Sequence, residues 1–136
     1  GALVGLRLAT RPIEILQAAL EAIAYRFALI RELLGQVLPG PTEIVASGGA
    51  LLRSSAWMQM MANVLGEPVI ASGEPEASSR GAALVALEAL GHLPDLAAAP
   101  AAQGSTYSPE RGKHQRYRDA LKRHRALYDA LVARRE

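Results

Sequence analysis

Cysteine is absent from the 136 residues, which excludes disulfide frameworks, thiolate metal sites and cysteine nucleophiles. Aromatic residues make up only 4% of the chain, too few for the stacked platforms that grip single-stranded nucleic acid. Long hydrophobic runs are also missing. A charge or a proline interrupts every apolar stretch before it reaches the roughly 18–20 residues of a membrane span. No charged leader precedes an apolar run, and the first residue is Gly1 rather than methionine. The chain therefore reads as an excerpt of a longer, cytoplasmic protein rather than as a secreted precursor. Half of the residues are hydrophobic and 21% are charged, the balance of a globular domain, and the length suits one domain.

Charge is unevenly spread. Residues 110–136 carry nine Arg/Lys and four Asp/Glu, net +5, whereas residues 1–109 carry six and nine, net −3. The basic excess is confined to one C-terminal segment.

The apolar segment 1–9 reads as an extended stretch entering the fold. Thr10-Arg11-Pro12 then looks like a helix start, with Thr10 placed to accept first-turn amides and Pro12 where no donor is needed. Ile13, Leu16, Leu20, Ile23, Phe27, Ile30, Leu34 and Leu38 recur at steps of three and four, one apolar stripe of more than six turns ended by Gly40-Pro41. Alanines at 18, 19, 22, 24 and 28 widen this face, which favours a core helix packed on a sheet over a coiled-coil seam.

Residues 43–47 (EIVAS) read as a strand running into Gly48-Gly49-Ala50. A second helix spans Ser54 to Leu65, with Gly66 at its end. Another strand covers 68–71, the loop Ser72–Glu76 follows, and a third helix runs from Ala77 to Leu90, stopped by Gly91. Residues 92–108 read as an irregular connection and 109–135 as a charged terminal helix with Tyr117, Leu121, His124, Tyr128 and Leu131 on its apolar side. The order predicts an α/β fold. So few short strands leave both sheet edges unpaired, so preceding chain, a second lobe or another copy should complete the sheet.

The informative junction is the strand end at Ser47-Gly48-Gly49-Ala50. Paired glycines there permit positive φ and let a ligand approach the main chain, and the next helix offers its amino-terminal amides to an anion, with Arg53 and Ser54 beside it. Taken alone, Gly-Gly after a strand is more often a turn. The run is neither GxGxxG nor GxxxxGK[ST].

The runs ASGGALLRSSAWMQMMANVLGEPV (46–69) and EASSRGAALVALEALG (76–91) closely resemble the C-terminal domain of the FGGY family of carbohydrate kinases, with gluconokinase- and xylulokinase-like members nearest in texture. Residues 5–30 resemble the first long helix of that domain, and 114–131 its closing helix. The likeness thus covers residues 1–136 almost throughout. It implies a ribonuclease H-like, actin-like ATPase lobe, an incomplete small sheet flanked by helices. It implies a nucleotide site lined by Ser47, Gly48, Gly49 and Ala50 near the adenosine and α-phosphate, with Arg53 and Ser54 around adenine and ribose. It also puts Gly81-Ala82-Ala83 on a helix flanking the pocket. The implied cofactors are ATP and Mg²⁺, the metal held mainly by a lobe outside this chain. The implied partners are an N-terminal sugar-binding lobe of the same enzyme and a sugar or sugar-acid substrate, gluconate-like by preference, with no membrane and no nucleic acid. A homodimer is compatible with the resemblance.

Gly81 within a helix costs about 0.8–1 kcal/mol relative to alanine. Either close approach of backbone or ligand explains it, or the helix begins after it; both readings stand. Asn63 departs from the family, which usually has aspartate there. Phosphoryl transfer also needs a base and carboxylates for Mg²⁺. The aspartates here, Asp95, Asp119 and Asp129, fall in the irregular loop and the terminal helix, so no catalytic or metal residue is assigned in this chain.

Other candidates have plainer readings. His92, His114 and His124 match no metal spacing and suit packing or surface roles. Glu74 and Glu76 flank Pro75 as a solvated turn. The Trp57/Met58/Met60/Met61 group suits a core face. The serious rival is a non-catalytic interaction domain in which the basic helix binds nucleic acid or an acidic partner, although its interleaved acids and Tyr/Leu stripe fit a docked helix with its charges in water.

Overall fold

The computed structural model describes residues 2–38, 40 and 42–133. Helix α1 (Pro12–Leu34) begins with Pro12 in its first turn, as the sequence suggests. The cap is different from the expected one. Thr10 Oγ1 accepts Arg7 N (2.9 Å), and it is Glu14 Oε2 that closes the helix start by accepting Arg11 N (2.7 Å). The helix also stops one turn before its apolar stripe does. Beyond Gly35, the amides of Val37 and Leu38 both turn back to the Leu34 carbonyl. Pro41, part of the expected stop, lies outside the described residues. Residues 2–7 are irregular and exposed, without strand pairing.

The remaining elements are β1 (Ile44–Ala46), α2 (Gly49–Leu52), α3 (Ser55–Leu65), β2 (Val69–Ser72), α4 (Ala77–Ala89), β3 (Gln103–Tyr107) and α5 (Arg111–Leu131). Strands β1 and β2 are parallel, with Ile44 opposite Val69 and Ala46 opposite Ala71, and β3 runs antiparallel on the far side of β2. The segment 92–108 is thus not the irregular connection expected. It holds a 3-10 turn (Leu96–Ala98) and β3. The strand escapes a hydrophobicity reading because four of its five residues are exposed, and its Gly104 is there for fit: a Cβ would stand 3.1 Å from the Ala71 carbonyl oxygen.

Helix α3 is the shared centre. Met58 and Ala62, one turn apart, pack with Val69 under the sheet. Met61 and Val64, on the neighbouring face, meet Ala24, Tyr25 and Ala28 of α1, with Tyr117 and Leu121 of α5 closing over them. This corrects the expectation that α1 packs on the sheet through its leucine stripe. Its buried positions are Ala24, Tyr25 and Ala28, where small side chains let α3 approach, while Ile13 and Phe27 remain 59% and 50% exposed. Periodicity marks an apolar face without naming what covers it. Phe27, Ile30, Leu34 and Leu38 instead wall an open groove of about 520 Å³ against the free edge of β1.

Asn63 is the one buried polar residue among those described, and it fastens α5 to α3. Its Oδ1 accepts the Gln59 amide (3.2 Å) and the Glu110 backbone amide (2.8 Å), and its carbonyl accepts His114 Nδ1 (2.9 Å). The His114 ring lies on Gly66, the left-handed residue (φ 74°) that ends α3. At the same corner, a hydrogen bond from Lys113 (2.8 Å) holds the Glu110 carboxyl below its usual range. Further along α5, the His124 ring packs at a tilt against that of Tyr25, their centroids 5.4 Å apart. Burial, with the Glu21 carboxylate second, raises the Tyr25 phenol, and burial raises that of Tyr117. Helix α5 itself is shorter than expected, Arg111–Leu131, and residues 134–136 lie outside the described ones.

Four substitutions test this corner. Gly66→Ala should lose about 1–2 kcal/mol from the left-handed backbone alone, and more because the new Cβ would clash with the His114 ring at Cε1. In denaturant melts, His114→Ala in the same chain should recover part of that loss. Asn63→Leu should cost about 1–3 kcal/mol by stranding a buried amide, whereas Asn63→Asp, still an acceptor for both donors, should melt close to the parent. Equal losses for the two would refute the acceptor role.

Candidate functional site

Parallel pairing has a geometric consequence. The chain leaves β1 and β2 at the same edge of the sheet, so both strand–loop–helix turns open side by side at the carboxyl ends. In open α/β sheets, that is where ligands bind.

At the first turn, Gly48 has φ 104° and ψ 127°, a backbone open to glycine and strained for any L side chain. A Cβ there would meet nothing within 4 Å, so conformation rather than packing demands the glycine and leaves its main chain open. Gly49 is different. It has a negative φ, begins the one-turn helix α2, and lies under the guanidinium of Arg53, whose Nε donates to the Gly49 carbonyl at 2.8 Å. Ser47, Gly48, Gly49, Ala50 and Arg53 are all exposed.

Ser54 holds the start of α3. Its Oγ accepts Trp57 N (3.2 Å), and its carbonyl accepts the amides of Trp57 and Met58. Helix α3 thus starts beside Ser54, where the sequence places it, and the one-turn helix α2 fills the space between it and Gly48.

At the second turn, Ser72 Oγ accepts Glu74 N (3.1 Å), and Gly73 donates to the Ala102 carbonyl (2.8 Å). A Cβ on Gly73 would fall 2.8 Å from that of Ala102, so only glycine fits. Glu74 forms an ion pair with Arg80 (3.3 Å), and Arg80 also donates to the Pro100 carbonyl, which ties the loop and α4 to the segment before β3. This pairing accounts for Glu74 without a catalytic role. Nothing in the sequence had singled out Gly73 or Arg80. The Ser-Gly pair at the end of β2, repeating that at the end of β1, was the available signal.

Gly81 is the fifth residue of α4, which settles one open point: the helix does not begin after it. No neighbour lies within 4 Å of where its Cβ would be, so nothing described in this chain packs on it closely. Helix α4 buries none of its residues and packs chiefly on the 3-10 turn. The structure therefore brings residues 47–54 together as one surface and sets the start of α4 at the same sheet edge. It records no contact between Gly81 and the first loop. Among the described residues, no group of three or more His, Asp or Glu gathers as a metal site, and no helix is long and apolar enough to cross a membrane.

Residues 1–90 match the family model "FGGY family of carbohydrate kinases, C-terminal domain", and the chain belongs to that family. It is 28% identical over 132 residues to a gluconokinase of Bacillus subtilis, a match covering 97% of this chain and 25% of that protein. With glycerol kinase 1 of Thermotoga maritima it shares 41% identity over 83 residues, 60% of this chain and 17% of that one. The crystal structure of a ligand-bound xylulose kinase from Lactobacillus acidophilus superposes with a TM-score of 0.81 at 25% identity, over 98% of this chain and 27% of that chain. The fold is the actin-like ATPase fold of these kinases. The chain spans about a quarter of the length of the curated relatives it matches.

Gly48 and Gly81 make opposite predictions for stability. Gly48→Ala should cost about 1–2 kcal/mol for its left-handed backbone, while Gly81→Ala, in mid-helix with open space, should gain about 0.8–1 kcal/mol. Thermal melts of the two variants decide, and a stabilised Gly48→Ala would contradict the backbone argument.

Proposed function

We propose that this chain is the nucleotide-binding lobe of an ATP-dependent carbohydrate kinase acting on a sugar or sugar acid, with gluconate-like substrates favoured by the gluconokinase relatives. The observation that carries the reading is the exposed Gly48–Gly49 main chain at the carboxyl end of a strand parallel to its neighbour. In this reading Ser47, Gly48, Gly49 and Ala50 lie against the adenosine and α-phosphate. Arg53 and Ser54 border adenine and ribose, Ser54 through its hydroxyl hydrogen, since its oxygen already caps α3. The absence of a side chain on Gly48 suits a ligand pressed on the main chain, and the open face at Gly81 suits a ligand or lobe lying across α4.

ATP would supply the phosphoryl group, and Mg²⁺ would neutralise charge on its oxygens. The aspartates here are placed for other roles than a base. Asp95 Oδ1 caps the 3-10 turn by accepting Ala97 N (2.8 Å), Asp119 pairs with Lys122 (3.3 Å), and Asp129 lies on exposed α5. The base and the Mg²⁺ carboxylates therefore belong to an N-terminal, sugar-binding lobe of a longer cytoplasmic protein. The apolar stripe of α1 and the unpaired edge of β1 are the surfaces such a lobe would cover. The rival reading, nucleic-acid binding by α5, loses support because Lys113, Lys122 and Arg125 are already paired with Glu110, Asp119 and Glu32.

The test is kinetic, in the kinase-length protein. Gly49→Val should raise KM for ATP about tenfold and leave that for the sugar nearly unchanged, the pattern of lost nucleotide binding. Gly81→Ala should likewise weaken nucleotide binding although it stabilises the chain. Unaltered ATP kinetics in Gly49→Val would refute the assignment.

A further inference from the structure

A second concavity, of about 560 Å³, lies between the carboxyl end of α1, the end of α3 and the middle of α5. It shares no residue with the turns at 47–54 or 73–81, and its character is cationic. On α5, His114, Arg118, Lys122 and Arg125 follow one another at steps of four, four and three, so they form a single stripe along one face of the helix, and all four line the cleft. Arg31 of α1 lines it too.

The acids of the cleft are already engaged. Glu67 is held by Arg31 (2.9 Å) and Glu32 by Arg125. The carbonyls ending α1 are likewise occupied, by the amides of Gly35, Gln36, Val37 and Leu38. Two donors are left over. Arg31 Nε is buried without a hydrogen-bond partner. Arg118 has neither an ion pair nor a side-chain hydrogen bond among the described residues. Like charges at 118 and 122, one turn apart, repel one another by a few tenths of a kcal/mol on the helix. A buried donor left unpaired costs more. Neither cost has a structural return within this chain.

We propose that this cleft binds a small phosphate dianion, free or carried on a metabolite-sized ester. Arg118 supplies charge, beside a Lys122 already paired with Asp119, and Arg31 Nε supplies a directed hydrogen bond. Its volume falls in the range of small-molecule sites, and an anion would satisfy the stranded donors together. The site is independent of the kinase reading, because it involves neither the Gly48–Gly49 turn nor any residue outside this chain.

The test uses the 136-residue chain with inorganic phosphate and with glucose 6-phosphate at constant ionic strength, read by the His114 ring signals in NMR and by calorimetry. Saturable shifts of His114 are expected. Tighter binding of the ester would identify a metabolite ligand, and equal binding the phosphate group alone. Arg118→Ala, an exposed position, should weaken binding about tenfold, as losing a charge-assisted hydrogen bond does. Lys113→Ala, on the same helix but outside the cleft, should leave it unchanged. No saturation, or equal weakening by Lys113→Ala, overturns the proposal. So does duplex DNA binding with steep salt dependence where the small phosphates fail, which would make the stripe a nucleic-acid surface instead.

Discussion

The grip of α3 on β2 is the contact on which the arrangement depends. Met58 and Ala62 close over Val69, and the three are almost wholly shielded from water. That contact holds β2 beneath α3, and β2 in turn aligns β1 on one side and β3 on the other. Removing the Met58 side chain would leave a cavity of the kind that costs about 2–5 kcal/mol. It would also free the strand whose parallel pairing puts both glycine turns at one edge. The adjacent face of α3, Met61 and Val64, makes the second core with α1 and α5. One helix of 11 residues therefore orders both the sheet and the helical layer.

Much of this was legible in the sequence, for identifiable reasons. Pro12, Gly66 and Gly91 mark helix ends through backbone chemistry that is nearly independent of context, and those ends fall where they indicate. The Gly48–Gly49 turn follows its strand as expected, although only Gly48 uses the freedom of glycine. The failures are tertiary. The leucine stripe of α1 is real, but much of it is exposed among the described residues, and the alanines beside it, not the leucines, make the contact. Strand β3 was invisible because it is exposed and polar, held by main-chain pairing to β2 and by the closeness that Gly104 allows. Asn63 drew notice as a departure from the family pattern, yet nothing in a single sequence reveals that its oxygen receives the backbone amide of Glu110, the cap of a helix 47 residues away.

The basic segment shows how charge misleads when read without geometry. Its net charge suggested a surface for polyanions, but α5 is docked through Tyr117, Leu121 and His124, and several of its cations already have carboxylate partners. Of the Arg and Lys side chains that line the cleft, Arg118 is the one left without a carboxylate partner among the described residues. Docking of α5 also draws the molecule's displaced ionisations, at Tyr25, Tyr117 and Glu110, into one seam away from the glycine turns.

The central claim is that the two strand ends form one nucleotide surface. Amide hydrogen exchange in the kinase-length protein, with and without a non-hydrolysable ATP analogue at saturation, addresses it directly. Exchange should slow across residues 48–54 and 73–81 together, while that of the α5 seam is unchanged. Saturation with no protection in either turn would contradict the account.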